Sequence, residues 1–425
     1  MDKQLIYWVL GTFFATLTLV LVFLNFASTE RKLEQNVARL YDSDDPQFKR
    51  AMGMLLGPAF AEGNRVETLL NGNEIFPAML TAIRSAKQSI TFETYIYWSG
   101  AVGQAFVDAL TERARAGVST HVLLDWVGSV KMEDKYLDAL KKAGVEVERF
   151  HEPHWSHLHR MNNRTHRKLL VVDGRVGFTG GVGIADQWQG HASRPEEWRD
   201  THYRVEGPVV AQMQAVFMDN WMKATGRVMH GPDYFPALSP AGDMSAQMFS
   251  SSPTGGSDSM HLMYLLAITA AKHRIDLASS YFVPEEMAIK ALVAAAQRGV
   301  KVRVITPGPD IDSDTVRRAS RARWGDLLEA GVEIAEYQPT MFHCKILVID
   351  GLLASVGSTN FDNRSFRLND EANLNVLNHD FAERQHADFE DDWKQSRKIT
   401  LKAWRNRPWH EKLMEHTASL IGAQL

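Results

Sequence analysis

Two segments of the chain place a histidine, a lysine and an aspartate at the same spacing. Residues 162–181 read NNRTHRKLLVVDGRVGFTGG, and residues 341–360 read MFHCKILVIDGLLASVGSTN. Both contain the pattern H-x-K-x4-D, formed by His166, Lys168 and Asp173 and again by His343, Lys345 and Asp350. One copy of so short a motif is weak evidence, but two copies at matching positions are strong evidence for a shared chemical role.

Each motif is typical of a strand that carries its histidine and lysine on one face, because side chains at i and i+2 point the same way. The apolar runs 169–172 and 346–349 suit strands buried on both faces, and an Asp-Gly turn follows each run. Two imidazoles and two ammonium groups that met in one pocket would suit a phosphodiester, whose anionic oxygens the lysines can hold. The alternative is satisfied core histidines beside lysines that reach water; a buried lysine without an anion would be costly.

The elements that would position these groups also occur twice. Strand, helix and strand patterns cover 89–98, 102–117 and 118–127, and recur at 273–284, 284–299 and 300–308. Such units form parallel pairs with a crossover helix. We therefore predict an α/β fold of two similar halves, each a mixed sheet flanked by helices, related by a pseudo-two-fold axis. The predicted divisions are an anchor (1–28), a juxtamembrane segment (29–60), the first half (61–226), a linker (227–257), the second half (258–396) and a basic, aromatic tail (397–425).

The N-terminal residues 5–27 contain no charged side chain and are long enough to cross a bilayer as a helix. A cleaved signal peptide and a buried core helix are the alternatives. The segment is longer than a usual signal core, and we interpret it as a single transmembrane helix. Arg31, Lys32 and Arg39 outweigh Lys3 and the amino terminus, which favours a cytoplasmic catalytic region.

Composition excludes several classes of protein. The 425 residues carry 47 basic and 51 acidic side chains, a net charge of −4, so no nucleic-acid partner is expected. The single cysteine, Cys344, precludes an intramolecular disulfide and a cysteine-rich zinc site. Four histidines within 151–160 suggest either a polar loop near the pocket, headgroup contact or a metal site, but no regular period aligns them. We predict no metal and no cofactor.

Beyond the motifs, residues 357–374 (GSTNFDNRSFRLNDEANL) and 198–208 (WRDTHYRVEGP) follow the second and first copies. With these segments the chain resembles the phospholipase D superfamily from about residue 60 to about residue 400. It is most similar to bacterial cardiolipin synthases. The resemblance implies two phospholipase D-like α/β halves and catalysis in two steps through a phosphohistidine.

The resemblance also implies roles for individual residues. His166 would be the nucleophile, His343 the general acid and base, and Lys168 and Lys345 would neutralise the phosphate oxygens. The remaining assignments are Asp200 and Glu371 as orienting acids, and Asn360 with Ser358 behind it as a hydrogen-bond donor. Asp173 and Asp350 belong to the motif and are included among the catalytic candidates, although their turn positions favour a structural role. The first half departs from the pattern because Gly183 stands where the second has Asn360.

The chemistry of such a pocket leaves the acceptor alcohol open. Expected partners are the lipid bilayer and its phospholipids, with phosphatidylglycerol as the donor and a second phospholipid as the acceptor. Water as the acceptor would make the chain a phospholipase D, and a nuclease or a non-catalytic lipid-binding protein are further alternatives. The expected location is the bacterial inner membrane.

Two aromatic features carry alternatives of their own. Tyr95, Tyr97, Tyr281 and Phe282 lie on equivalent strands, where they either pack in the core or line a lipid pocket. Residues 397–413 interleave basic side chains with tryptophans, which suits either a membrane surface or a solvated terminal helix.

Overall fold

A computed structural model describes residues 3–26, 33, 35–152, 162–253, 258–420 and 422. The helices are α1 (Lys3–Phe26), α2 (Pro46–Leu56), α3 (Asn71–Ser85), α4 (Ala101–Arg115), α5 (Asp134–Lys142), α6 (Val209–Thr225), α7 (Ser259–Ala270), α8 (Glu286–Gln297), α9 (Asp314–Ala322), α10 (Gly325–Glu329), α11 (Asn363–Arg367), α12 (His379–Lys394), α13 (Leu401–Arg405) and α14 (Trp409–Leu420). The strands are β1 (Ala61–Leu70), β2 (Ser89–Thr94), β3 (Ser119–Asp125), β4 (Glu146–Phe150), β5 (Arg164–Thr165), β6 (Leu169–Val172), β7 (Val176–Gly180), β8 (Thr201–Glu206), β9 (Met244–Ser251), β10 (Arg274–Ser279), β11 (Phe282–Val283), β12 (Lys301–Pro307), β13 (Glu333–Tyr337), β14 (Lys345–Ile349), β15 (Leu353–Gly357), β16 (Phe361–Asp362), β17 (Asn369–Leu377) and β18 (Ser396–Ile399).

Sixteen of these strands form one continuous sheet whose order reads almost the same from both ends, and β11 and β16 form a separate two-stranded sheet. One wing runs β4-β3-β2-β6-β7-β8-β1, and the other runs β13-β12-β10-β14-β15-β17-β9. β1 and β9 pair antiparallel at the centre, with Ala61 opposite Ala246, so the pseudo-two-fold axis passes between them. The predicted α/β fold of two similar halves is confirmed, and the two sheets are joined edge to edge.

The crossover units predicted from the sequence lie in the outer part of each wing. β2 runs parallel to β3 with Ser89 opposite Ser119, and β10 runs parallel to β12 with Arg274 opposite Lys301. The motif strands β6 and β14 lie antiparallel to β2 and β10. Every residue of β6 and β14 is buried, as the apolar runs predict.

Helices cover both faces of the sheet. On one face a core common to both halves contains Phe217 and Trp221 of α6 with Phe389 and Trp393 of α12. On the other face each half has its own core, built from α3, α4 and α5 in the first half and α7, α8 and α10 in the second. The common core fixes the position of one half relative to the other, which a site shared between them requires.

The structure corrects two predicted boundaries. The linker predicted at 227–257 contains β9, which pairs with both β1 and β17. The tail predicted from residue 397 begins inside β18, which pairs antiparallel with β13. Trp404 donates a 2.8 Å hydrogen bond to the carbonyl of Arg321 and packs on the second-half core, so this part of the tail belongs to the second half.

The N-terminal helix α1 stands apart from these cores. Its first 18 residues, Lys3–Val20, are long and apolar enough to cross a membrane, and none of them is buried. Trp8 and Phe13 expose 70% and 60% of their surface. A core helix would bury such side chains, so that alternative is wrong, and the helix is compatible with a membrane anchor.

Asp173 and Asp350 occupy equivalent turns with positive φ values of 53° and 54°. The Asp173 carboxylate accepts hydrogen bonds of 2.7–3.1 Å from the backbone N–H groups of Lys87, Gln88 and Ser89. Asp350 accepts from the equivalent residues Lys272, His273 and Arg274 and from the Ser43 hydroxyl. Their inclusion among the catalytic candidates is corrected: both bind the backbone segment that enters the neighbouring strand.

Asp173→Ala is therefore expected to lower the free energy of unfolding by about 1–3 kcal/mol, because three backbone donors lose their acceptor. Turnover per folded molecule should change little. Denaturant unfolding and kcat measured on the same preparation test this, with exposed Asp138→Ala as the control. A loss of kcat by orders of magnitude at unchanged stability would contradict the structural role.

Candidate active site

Both motif histidines open onto one cavity of about 380 Å³ between the two halves. The lining comprises Tyr95, Ile96, Val127, Arg164, His166, Lys168, Gly183, Trp188, Tyr281, Asp312, Ser313, Val316, His343, Asn360, Arg364 and Asn369. A cavity of this size falls in the range of roughly 300–1,000 Å³ typical of small-molecule sites. The site therefore belongs to neither half alone.

Backbone pairing across the halves brings the histidines together. β5 runs parallel to the start of β17, and the His166 N–H donates a 2.9 Å bond to the carbonyl of Asp370. At the equivalent place around the other histidine, Arg199 forms a parallel β-bridge with Phe342. The His343 N–H donates a 2.8 Å hydrogen bond to the carbonyl of Arg199. Each histidine is thus held beside the segment that precedes the acidic residue of the other half.

The two predicted orienting acids bind the histidines crosswise. His166 Nδ1 lies 2.9 Å from Glu371 Oε1, and His343 Nδ1 lies 2.8 Å from Asp200 Oδ2. Both carboxylates are completely buried. A proton on Nδ1 that is donated to a carboxylate leaves Nε2 as the ring nitrogen with a free electron pair. Each imidazole is therefore oriented by the half to which it does not belong.

The two lysines are anchored identically. Lys168 Nζ donates a 2.7 Å bond to the carbonyl of His166, and Lys345 Nζ donates a 2.7 Å bond to the carbonyl of His343. Lys345 also donates to the hydroxyl of Ser280. Of the two lysines, Lys168 lines the cavity, whereas the Nζ atom of Lys345 lies 3.1 Å from Nδ1 of His343. The site thus holds two lysine side chains in fixed positions, one that lines the cavity and one beside His343.

Burial decides the protonation of these groups. It lowers the pKa of His166 to about 4 and of His343 to about 3; the lysines reinforce the effect, and Glu371 and Asp200 oppose it. Burial also lowers the pKa of Lys168 to about 7 and lowers that of Lys345. For Glu371, burial alone would raise the pKa, but His166 and Lys168 outweigh it and hold the pKa below its usual range. At neutral pH both imidazoles are neutral in the free protein.

These pKa values predict the pH dependence of kcat/KM, which reports on the free enzyme. Lys168 carries its charge below about pH 7, so activity should fall as the pH rises through that value. His166 loses its free electron pair below about pH 4, so activity should also fall on the acidic side. In Lys168→Arg the fall near pH 7 should vanish, because a guanidinium stays charged, whereas any alkaline dependence that comes from the proton of His343 should remain. An alkaline limb that persists unchanged in this variant would belong to another group.

Glu371 and Asp200 accept hydrogen bonds from different donors, which explains why the first half has Gly181 where the second has Ser358. Ser358 donates a 2.5 Å bond to Glu371, and Asn369 adds one of 3.2 Å. Trp188 Nε1 donates a 2.9 Å bond to Asp200. A Cβ at Gly181, the position equivalent to Ser358, would lie only 2.2 Å from the Asp200 carboxylate. Glycine is therefore required there, and the tryptophan supplies the donor instead.

The predicted asymmetry at Gly183 also has a steric cause. A Cβ at Gly183 would lie 2.8 Å from Ile96 and 3.0 Å from the Trp188 ring, so an asparagine does not fit. In the second half Asn360 Oδ1 accepts a 2.8 Å bond from Ser280, which directs the amide N–H₂ away from that contact. Both Gly183 and Asn360 line the cavity, but only Asn360 has a side chain that can donate a hydrogen bond to a ligand.

Several functional positions were not predicted from the sequence. Trp188 and Trp198 pack their rings 5.2 and 5.6 Å from the His343 ring, and Ser280 connects Lys345 to Asn360. Ser280 is equivalent to Tyr95, so the alignment of the two strand patterns could have revealed it. Trp188 ends a three-residue 3₁₀ helix (Asp186–Trp188) and Trp198 lies in a loop, so no sequence periodicity marks either residue.

The aromatic strand residues divide between the two predicted roles. Tyr95 and Tyr281 line the cavity, and the Tyr95 ring lies 5.2 Å from that of His166. Tyr97 and Phe282 are fully buried in the cores. Of the histidine-rich segment 151–160, only residues 151 and 152 lie within the described ranges. Within those ranges no group of three or more His, Cys, Asp or Glu side chains could hold a metal ion.

Comparison with known proteins agrees with this architecture. The family model "Cardiolipin synthase, PLD-like domain" matches residues 79–196 and 264–393, one segment in each half. The chain is 36% identical over 365 residues to a cardiolipin synthase of Geobacillus kaustophilus, covering 85% of this chain and 72% of the relative. It is 35% identical over 381 residues to cardiolipin synthase A of Pseudomonas putida, covering 89% and 79%.

Among solved structures, the fold is similar to phosphatidylserine synthase from Haemophilus influenzae, with a TM-score of 0.66. The match covers 89% of this chain and 100% of the other at 12% identity, so it concerns the fold alone. The family model, the named relatives and the paired motifs together define a phosphatidyltransferase of the phospholipase D superfamily. Within that class, the chain belongs to the cardiolipin synthase family.

Proposed function

We propose that the protein is a cardiolipin synthase-like phosphatidyltransferase. It would transfer a phosphatidyl group from phosphatidylglycerol, through a phosphohistidine, to the headgroup hydroxyl of a second phospholipid. The observation that carries the proposal is the crosswise arrangement in which His166 is bound by Glu371 and His343 by Asp200 around one cavity. The relatives' name, cardiolipin synthase, supports cardiolipin as the product.

In the first step Nε2 of His166 attacks the phosphorus of the donor lipid, and the bond to the glycerol oxygen breaks. His343, protonated in the complex, gives its proton to that oxygen, and glycerol leaves. An anionic phosphate near His343 favours its protonated form, which offsets the effect of burial. Lys168 and Lys345 stabilise the charge on the phosphate oxygens in both steps.

In the second step the acceptor hydroxyl loses its proton to His343 and attacks the phosphohistidine. The phosphorus–nitrogen bond breaks and returns its electron pair to His166, so both histidines regain their starting states. Glu371 and Asp200 hold the rings in place through each change of charge. Water in place of the acceptor would give hydrolysis, so the product identifies the acceptor.

The enzyme would act at the bacterial inner membrane as a single-pass protein with a cytoplasmic catalytic region. The exposed apolar helix α1 supports anchoring, because none of the residues Lys3–Val20 is buried. The basic residues Arg31, Lys32 and Arg39 on its C-terminal side support the cytoplasmic orientation.

The test is product analysis of the purified full chain in mixed micelles with phosphatidylglycerol. Glycerol and a four-chain lipid are expected in equal amounts, and an excess of chelator should change little. The His166→Asn/His343→Asn double variant provides the background. Phosphatidic acid as the only lipid product would make the enzyme a hydrolase, and the absence of any headgroup release would refute the proposal.

A further inference from the structure

The pseudo-symmetry of the cavity breaks down at two arginines. Arg164 lines the cavity in the first half, and the equivalent residue of the second half is Met341. Arg364 lines it in the second half, and its equivalent is Gln187. Strand pairing supports the equivalence. Tyr97 forms a parallel β-bridge with Ile184, and the equivalent residues of the second half, Phe282 and Phe361, are also paired in parallel. A reaction that involved only one phosphate, held between the two histidines, would not require these two additional positive charges in the cavity.

Both guanidinium groups are held in place by the same short segment. Arg364 donates to the carbonyl and the side-chain oxygen of Asn162 at 3.1 and 2.7 Å. Arg164 donates a 2.8 Å bond to the carbonyl of Asn163. Arg164 also lies two residues before His166, so both side chains point to the same side of the strand. The arginines are therefore fixed next to the histidine proposed as the nucleophile.

The electrostatic effects place the two charges close together. Burial, reinforced by the charge of Arg164, lowers the pKa of Arg364. Burial raises the pKa of Tyr95, and both arginines oppose that rise, so both lie near the ring that contacts His166. Two buried carboxyl groups lie near these charges, Asp362 near Arg364 and Asp125 near Arg164, and burial raises their pKa values to about 7 and about 6.

Asp312 is the only acidic residue among the described residues that line the cavity. Its two carboxylate oxygens lie 2.9 and 2.8 Å from the Tyr281 hydroxyl. The charge of Asp312 is thus directed to a neighbouring residue of the second half. Two guanidinium groups that line one cavity are well suited to bind a phosphodiester, since arginine donates two parallel hydrogen bonds to such oxygens.

We propose that Arg164 and Arg364 form a second anion subsite, which holds the phosphodiester of the acceptor lipid. This inference rests on the proposed function, in which the lysines hold the reacting phosphate and a second phospholipid supplies the hydroxyl. The subsite selects acceptors that carry a phosphate close to a free hydroxyl. Neutral alcohols and water gain nothing from it.

The experiment measures how the enzyme divides one donor between two acceptors. The full chain in mixed micelles receives labelled phosphatidylglycerol together with glycerol bearing a different label. The ratio of four-chain lipid to glycerol-exchange product is then compared among wild type, Arg164→Gln and Arg364→Gln. Each variant should lower the ratio by roughly 10–100-fold, the effect of losing hydrogen bonds to a charged group.

Two further variants separate the effect from misfolding. Arg364→Lys keeps the charge but loses the paired donors, and should give an intermediate ratio. Arg384→Gln removes an arginine that is 57% exposed on α12, and should leave the ratio unchanged. A ratio unchanged in Arg164→Gln, Arg364→Gln and Arg364→Lys, at any overall rate, would overturn the subsite.

Soluble glycerol 3-phosphate as the acceptor distinguishes the two sources of the phosphate. If transfer to it falls with transfer to phosphatidylglycerol in Arg364→Gln, the subsite recognises the phosphate group itself. If only lipid transfer falls, the subsite recognises the phosphodiester of a membrane lipid. A wild-type enzyme that exchanges glycerol but forms no four-chain lipid would refute the proposed function, whereas normal lipid formation with unaltered variants would refute the subsite alone.

Discussion

His166→Asn is expected to reduce kcat by on the order of 10⁴-fold or more, because the variant lacks the nitrogen that we propose attacks phosphorus. Asparagine is polar and of similar size, and its amide can still hydrogen-bond to Glu371, which lies 2.9 Å from the native ring. The fold should therefore survive. The measurement is the initial rate of glycerol release from phosphatidylglycerol, with the melting temperature as the check on folding.

Gln104→Asn is a suitable comparison, because Gln104 lies on the helix α4, away from the cavity lining, and its side chain donates a hydrogen bond to Asp108 in the same helix. It should retain full activity. A His166→Asn enzyme within tenfold of wild type would exclude His166 as the nucleophile. It would also contradict the arrangement in which the neutral ring presents Nε2 to the cavity.

The second large effect is expected in His343→Asn. Loss of the general acid and base should reduce turnover of phosphatidylglycerol by roughly 10²–10⁴-fold. A donor whose leaving group is a nitrophenolate needs no proton to depart, so the first step should still proceed. The second step still needs a base to activate the acceptor. The variant should therefore accumulate a covalent phospho-enzyme, seen as a burst of nitrophenol equal to the enzyme concentration.

A labelled donor gives the matching assay on the protein itself. Label should remain on His343→Asn and be absent from the His166→Asn/His343→Asn double variant. Because the two halves are so similar, the roles of the histidines are the part of the mechanism that this assay tests most directly. Label found on His166→Asn, and not on His343→Asn, would reverse the assignment.

The crosswise binding of the acids has a consequence for the evolution of the pair of halves. Neither half contains a complete histidine–carboxylate pair, since Glu371 orients His166 and Asp200 orients His343. A separated half would have to dimerise to recover an equivalent site. The common core of α6 and α12 and the central β1–β9 pairing provide that association within one chain.

Much of this protein follows from the sequence because its signals are local. The spacing of His166 and Lys168, repeated in His343 and Lys345, predicts strands that present both side chains on one face. The strands are found, but β6 begins at Leu169 and β14 at Lys345, so His166, Lys168 and His343 lie just before them. The apolar runs after them and the two crossover patterns predict the α/β halves, and the Asp-Gly pairs predict the turns. Each of these depends on residues close together in the chain, where periodicity and turn chemistry apply.

Only the tertiary structure decided how the halves combine. The partner of each orienting acid depends on contacts between residues 143 and 205 positions apart, which no local pattern encodes. The same holds for Trp188, which replaces a serine as the donor to Asp200, and for the joining of two sheets through β1 and β9. The physical reason is that burial and long-range packing, rather than residue spacing, determine which polar groups meet across the interface of the two halves.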